Sequence, residues 1–209
     1  MTGILDAKIE EYLEGLLPKR DALLAEMEKY AKKNHVPIIG PACGRLLAMV
    51  TLLSGAARIF EMGSAIGYST VWFARATGPE AEIHYTDSDP ENSRRARDYF
   101  ERAGVEGKIR QWTGDAIESF DKTSGLFDLI LIDINKEQYP QALLKAVPRL
   151  KSGGVLVTDN VLWSGKVARP AKDKSTRAIQ RFNKEMYAQK ELFSVIVPLR
   201  DGVAICRKN

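Results

Sequence analysis

Apolar positions recur at helical spacing through the first third of the chain and then switch to short strand-like runs. Ile4, Leu5, Ile9, Tyr12, Leu13, Leu16 and Leu17 predict a helix over 4–17, which Pro18 breaks. Leu23, Leu24, Met27 and Tyr30 put one apolar face on a second helix over 19–34. The segment 36–41 carries Pro37 and Pro41 and reads as extended. A third helix over 42–53 stops at Ser54-Gly55.

From residue 58 the pattern alternates. Strands are predicted at 58–61, 82–86, 108–112, 127–132 and 155–158, with helices at 68–76, 90–103, 117–120, 137–150 and 176–188 between or after them. The run 127–132 is almost wholly apolar, as suits a strand buried on both faces. A longer loop is expected over 161–175. Two last strands, 193–198 and 203–207, flank the hairpin signal Arg200-Asp201-Gly202. Strands alternating with helices predict one doubly wound α/β domain over 1–209, with N-terminal helices in 1–54 and the α/β core in 55–209.

The first strand leads into Glu61-Met62-Gly63-Ser64-Ala65-Ile66-Gly67-Tyr68-Ser69-Thr70. Strand, glycine turn and helix together make a nucleotide-type unit. Ala65 stands where a pyrophosphate loop wants a glycine, and the Glu61 carboxylate would repel phosphate. Both argue against an NAD-dependent dehydrogenase. An acidic residue beside such a turn suits a cofactor carrying positive charge, such as S-adenosylmethionine.

Glu61, Asp87, Asp115, Asp133 and Asp159-Asn160 fall at or just past the carboxyl ends of successive strands, the edge where open parallel sheets bind ligands. Singly, each has a structural reading: a helix N-cap for Asp89 and Asp133, a side-chain-capped turn for Asp159-Asn160. As a set they form a polar rim. Asp133, Asp159 and Asn160 offer oxygen ligands alone, which suits a hard cation: magnesium first, calcium or manganese as alternatives. Vicinal hydroxyls of a substrate could complete the coordination, and Lys136 could take the proton.

Composition narrows the field. The 209 residues are 44% apolar and 28% charged, in the range of an ordinary globular domain. No apolar run reaches the roughly 18 residues of a membrane span, and Met1 to Lys8 lacks a signal-peptide core, so a cytoplasmic location is expected. Cys43 and Cys206, far apart, and His35 and His84 exclude a disulfide framework and a thiolate or histidine metal site. The net charge of +4 permits an anionic partner without requiring one.

The motifs EMGSAIGYST at 61–70, YTDSDPE at 85–91, FDLILIDINKEQY at 127–139, GGVLVTDNVLWSGKV at 153–167, DKSTRAIQRFN at 173–183 and PLRDGVAIC at 198–206 resemble those of the cation-dependent O-methyltransferases, the catechol and caffeoyl-CoA O-methyltransferases and their bacterial relatives. The resemblance runs from the N-terminal helices to the last hairpin. It implies the class I, Rossmann-like methyltransferase sheet of seven strands, order 3-2-1-4-5-7-6, with the last strand antiparallel. It further implies that Glu61, Gly63, Ser64 and Ser69 line the methionine end of S-adenosylmethionine, that Asp87 holds the ribose, and that Asp115 and Ala116 border the adenine. Asp133, Asp159 and Asn160 match the metal ligands, with Asp133 also beside the cofactor, and Lys136 matches the catalytic lysine. Trp163 and Ser164 would border the acceptor. Asn135 replaces an aspartate of many bacterial relatives, and Ile38-Ile39-Gly40 stands where plant-type relatives carry a threonine, which leaves Ile39 a backbone contact to the cofactor.

The expected reaction is methyl transfer to a hydroxyl of a catechol-like or phenolic small molecule. The alternatives are a transferase acting on hydroxylated uridine in transfer RNA and, more remotely, a non-catalytic cofactor-binding protein. The apolar surplus of the N-terminal helices suggests a subunit interface, and a homodimer is expected.

Overall fold

The structure is a computed structural model that describes residues 4–209, and the statements that follow concern those residues. The first three residues of the Met1 to Lys8 segment lie outside them. Seven strands form one sheet in the order β3-β2-β1-β4-β5-β7-β6, as the resemblance implies. The chain divides into two compact units, one of Leu13–Ser124 and one of Gly125–Asn209 together with the residues up to Tyr12.

In the unit of Leu13–Ser124, α2 (Ala22–Asn34) is capped by Asp21, which accepts from the Leu23 and Leu24 amides, and it ends at His35 in the left-handed region. Helix α3 (Gly40–Ser54) packs on α4 (Tyr68–Ala76) by close approach: a Cβ on Gly44 would lie 2.3 Å from the Trp72 indole nitrogen. Strands β1 (Arg58–Met62), β2 (Glu82–Asp87) and β3 (Ile109–Thr113) pair in parallel, with Arg58 beside Glu82 and Asp87 beside Thr113. Helix α5 (Pro90–Ala103) opens with proline after the Asp89 cap and stops at Gly104; α6 (Ala116–Asp121) follows β3. Ile59, Phe60, Ile83 and Tyr85 are fully buried between these helices.

In the other unit, β4 (Phe127–Ile132) is buried along almost its whole length and pairs in parallel with β5 (Leu150–Thr158). Strand β5 begins five residues before the expected start. Its register against β4 jumps between Phe127↔Leu150 and Leu129↔Val155, so the glycine pair lies within a bulge rather than ahead of the strand. A Cβ on Gly154 would meet the Lys151 carbonyl at 2.9 Å, which is why glycine stands there. Helices α7 (Tyr139–Arg149) and α8 (Lys174–Ala188) pack together, with Phe182 and Met186 fully buried. Strand β7 (Val203–Lys208) runs antiparallel to both β5 and β6 (Leu192–Val197). Helix α1 (Ala7–Gly15), shorter at both ends than the predicted 4–17, has no buried residue.

Candidate active site

At the carboxyl end of β1 the glycine turn is laced to β2. The Gly63 amide donates to Thr86 Oγ1 at 3.1 Å, and the Ser64 amide to Thr86 O at 2.8 Å. Thr86 Oγ1 in turn donates to Glu61 O at 2.7 Å. The Ala65 amide donates to Asp87 Oδ2 at 2.9 Å, and Tyr85 Oη donates to Ala65 O at 2.5 Å. Gly63 (φ 83), Ala65 (φ 45) and Gly67 (φ 81) all take left-handed backbone, which winds the turn tightly ahead of α4. Glu61 is fully buried and accepts from Thr70 Oγ1 at 2.5 Å. The loop thus surrounds a buried carboxylate with short polar side chains, a donor set that fits a cationic, amine-bearing ligand.

Asp87 spends part of its capacity on structure, taking the Asp89 amide at 2.9 Å and Asn92 Nδ2 at 3.1 Å on Oδ1. Each carboxylate oxygen accepts about two hydrogen bonds, so Oδ2 retains room for a ligand hydroxyl. Asp115 Oδ1 caps α6 through the Ile117 and Glu118 amides, and the Gly114 amide donates to Asp87 O at 2.9 Å. Glu61, Gly63, Ser64, Asp87, Asp115 and Ala116 therefore come together at one rim, with Ser69 in the first turn of α4. Ile39 is buried at the N-terminal boundary of α3. Thr70 and Thr86, which support this turn, were not singled out in the sequence. Their signal is weak, since threonine at a strand end or in a first helical turn is common.

In the second unit, Asp133 follows β4, and Asp159-Asn160 follows β5. The Asp159 amide donates to Ile132 O at 3.1 Å, which sets the two strand ends level. Lys136 Nζ, largely buried, donates to Asp133 Oδ1 at 2.7 Å and to Tyr139 Oη at 2.6 Å. Tyr139 Oη donates to Asp159 O at 2.9 Å. Burial, with the charges of Asp133 and Asp159, holds the Tyr139 phenol well above its usual pKa, so it stays a neutral donor. Tyr139 was missed in the sequence, although it lies one helical turn beyond Lys136.

Asp159 is 4% exposed, with Arg200 Nη1 3.8 Å from Oδ2. Burial first, then the like charge of Asp133, raises its carboxyl pKa, and Arg200 pulls the other way. The Asp133 and Asp159 carboxylates, with the Asn160 amide following in sequence, form an oxygen set that fits a hard divalent cation. No group of three or more His, Cys, Asp and Glu side chains is placed to hold a metal among the described residues, so the fit rests on two carboxylates and one amide. Asn160 (φ 58), Trp163 (φ 47) and Ser164 (φ 52) are all left-handed. The expected loop over 161–175 contains a short 3-10 turn, Trp163–Ala168. Lys136 Nζ lies 6.0 Å and Lys166 Nζ 5.4 Å from the Trp163 ring centre, a geometry that presents an aromatic face beside cations.

Comparison with known proteins bears on both rims. A family model described as O-methyltransferase matches residues 18–209. A catechol O-methyltransferase of Niastella koreensis is 29% identical over 98% of this chain and 98% of its own length. A caffeoyl-CoA O-methyltransferase of Petroselinum crispum is 29% identical over 97% of this chain and 91% of its own. Among solved structures, an O-methyltransferase of Streptomyces achromogenes involved in tomaymycin synthesis, in complex with SAM, aligns at TM-score 0.87 and 25% identity over 97% of this chain and 96% of that one. An O-methyltransferase of Bacillus cereus in complex with SAH shares the fold at TM-score 0.88 and 24% identity, over 97% of each chain.

Proposed function

Because the chain belongs to the O-methyltransferase family, we propose that it moves a methyl group from S-adenosylmethionine to a hydroxyl of a catechol-like or phenolic small molecule, with magnesium as the divalent cofactor. The observation that carries this reading is the arrangement of Lys136 on Asp133 at 2.7 Å beside buried Asp159. It supplies a proton acceptor next to an oxygen-donor pair, and the relatives named for catechol and caffeoyl-CoA support the substrate class.

Glu61, Gly63, Ser64 and Ser69 hold the methionine end of the donor, Asp87 the ribose, and Asp115 with Ala116 the adenine; Ile39 adds a backbone contact. Asp133, Asp159 and Asn160 hold the cation. When bound, the cation supplies Lewis acidity and a fixed point for the acceptor oxygens. Tyr139 and Asp133 fix Lys136 Nζ, which accepts the hydroxyl proton. The acceptor oxygen then bonds to the methyl carbon as the carbon–sulfur bond breaks, and the sulfur keeps the electron pair as a neutral thioether. Trp163 and Ser164 border the acceptor.

A panel of catechols, phenols and transfer RNA bearing hydroxylated uridine, assayed with labelled donor, tests this. Turnover on catechols supports the reading. Turnover on transfer RNA alone, falling steeply with salt, moves the substrate to hydroxylated uridine. Donor binding without any turnover leaves a cofactor-binding protein.

We further propose a homodimer through the N-terminal helices, because Ile9, Tyr12 and Leu13 of α1 and Met49, Leu52 and Leu53 of α3 are exposed apolar side chains; light scattering decides it. A single domain over 1–209 predicts one cooperative unfolding transition. A cytoplasmic location fits two buried cysteine thiols, and no helix among the described residues is long and apolar enough to cross a membrane.

A further inference from the structure

The turn joining β6 and β7 does more than reverse the chain. The Val161 amide donates to Gly202 O at 3.0 Å, the Leu162 amide to Asp201 O at 2.9 Å, and the Ser164 amide to Asp201 Oδ1. Gly202, at φ 84, lies flat against Leu162; a Cβ there would fall 2.4 Å from Leu162 Cγ. An aspartate in a hairpin turn ordinarily faces water, yet Asp201 is 3% exposed and its Oδ2 is buried without a hydrogen-bond partner. Burying a carboxylate this way is unfavourable unless it is needed where it is.

What it holds is a strained segment. Three non-glycine residues, Asn160, Trp163 and Ser164, take left-handed backbone within five positions. Trp163 and Ser164 each cost about 1–2 kcal/mol in this region, Asn160 less, so the segment does not keep this shape unaided. The ties divide the work: the backbone of Asp201 and Gly202 fixes Val161 and Leu162, next to Asn160, whereas the Asp201 side chain fixes Ser164, next to Trp163.

We propose that Asp201 is a positioning residue that sets Trp163 and Ser164 for the acceptor, acting through its hydrogen bond from the Ser164 amide. This rests on the assignment of those two residues to the acceptor. Asn160 keeps its place through the backbone ties, so loss of the Asp201 side chain touches acceptor binding and spares metal dependence.

The test compares full-length Asp201→Ala and Asp201→Asn by amide hydrogen exchange over 160–166, donor affinity by calorimetry, and KM for catechol at saturating donor and magnesium. Asp201→Ala is expected to lose protection at Ser164 and raise the catechol KM about tenfold, the factor of one lost hydrogen bond to a charged group. Donor affinity and the magnesium dependence stay as in the parent. Asp201→Asn, whose amide oxygen still accepts from Ser164, restores both protection and KM. Should Asp201→Ala fail to fold, Asp201→Ser keeps a turn-forming side chain of shorter reach and is read the same way. Unchanged protection in the Ala or Ser variant, or an Asn variant that fails to restore it, overturns the proposal. If the parent enzyme itself transfers nothing to catechols, the proposed acceptor is wrong, and the exchange comparison still decides the role of Asp201.

Discussion

Gly67→Ala separates two costs at the turn before α4. At φ 81 any L residue is strained by about 1–2 kcal/mol. The added Cβ would also lie 2.5 Å from Phe100 Cε1, 2.6 Å from Cζ and 3.2 Å from Ala96 Cβ. Phe100 is 2% exposed and sits edge-on to Tyr85, ring centres 5.6 Å apart, so it has nowhere to swing. Overpacking of this kind costs about 1–3 kcal/mol more. Gly104→Ala is the control: its φ is 65, and nothing lies within 4 Å of the added Cβ, so it carries the strain alone. For a chain of this length about 1 kcal/mol moves the melting temperature by about 2–4 °C. Gly67→Ala should therefore melt about 4–8 °C below Gly104→Ala in paired thermal scans, for an overpacking cost of about 2 kcal/mol. Tyr85 also donates to Ala65 O, so a displaced Phe100 disturbs the loop itself, and donor affinity should fall in the first variant alone. Equal melting temperatures with equal donor affinity would refute the packing argument.

Lys136→Ala should reduce methyl transfer at least 100-fold, in the range of a lost general base, while donor affinity measured by calorimetry is kept. Asp133→Ala and Asp159→Ala should each abolish turnover, and excess EDTA should do so reversibly, with magnesium restoring the rate; full activity in EDTA sinks the metal assignment. His84 is buried between Phe60 and Trp112, accepts from the Trp112 indole at 3.1 Å, and has its pKa lowered first by that burial. The unfolded chain therefore binds the proton more readily, so stability falls as pH drops below about 6.5. His84→Gln should flatten the slope of melting temperature between pH 6.5 and 5, and an unchanged slope would place the proton elsewhere.

Much of the fold was legible because its signals are local. The apolar run of β4, the proline and glycine stops around α5, and the Arg200-Asp201-Gly202 turn each declare themselves within a few residues. The acids of both rims were legible for the same reason, since a strand end is a local position. The start of β5 was not: the strand was expected at 155–158, just past Gly153 and Gly154, because glycines weaken a strand pattern. Only the close approach of the Lys151 carbonyl shows that they form a bulge inside one.

Asp115 shows a limit of residue type: its carboxylate caps α6, and a strand-end aspartate reads the same whether it caps or binds a ligand. Thr70, Thr86 and Tyr139 were passed over because each looks like ordinary helix, strand or core. Their partners are Glu61, Gly63 and Asp159, up to 25 residues away. The left-handed run from Asn160 to Ser164 is the sharpest case. Gly165, left-handed at φ 73, marks only its end; Asn160 tolerates the conformation, but Trp163 and Ser164 disfavour it. What makes it tolerable arrives 37 residues later, with the Asp201 carboxylate on the Ser164 amide. A local reading assigns the hairpin aspartate to its own turn. In the fold it also holds the loop after β5, where one side chain serves its own turn and the Ser164 amide at once.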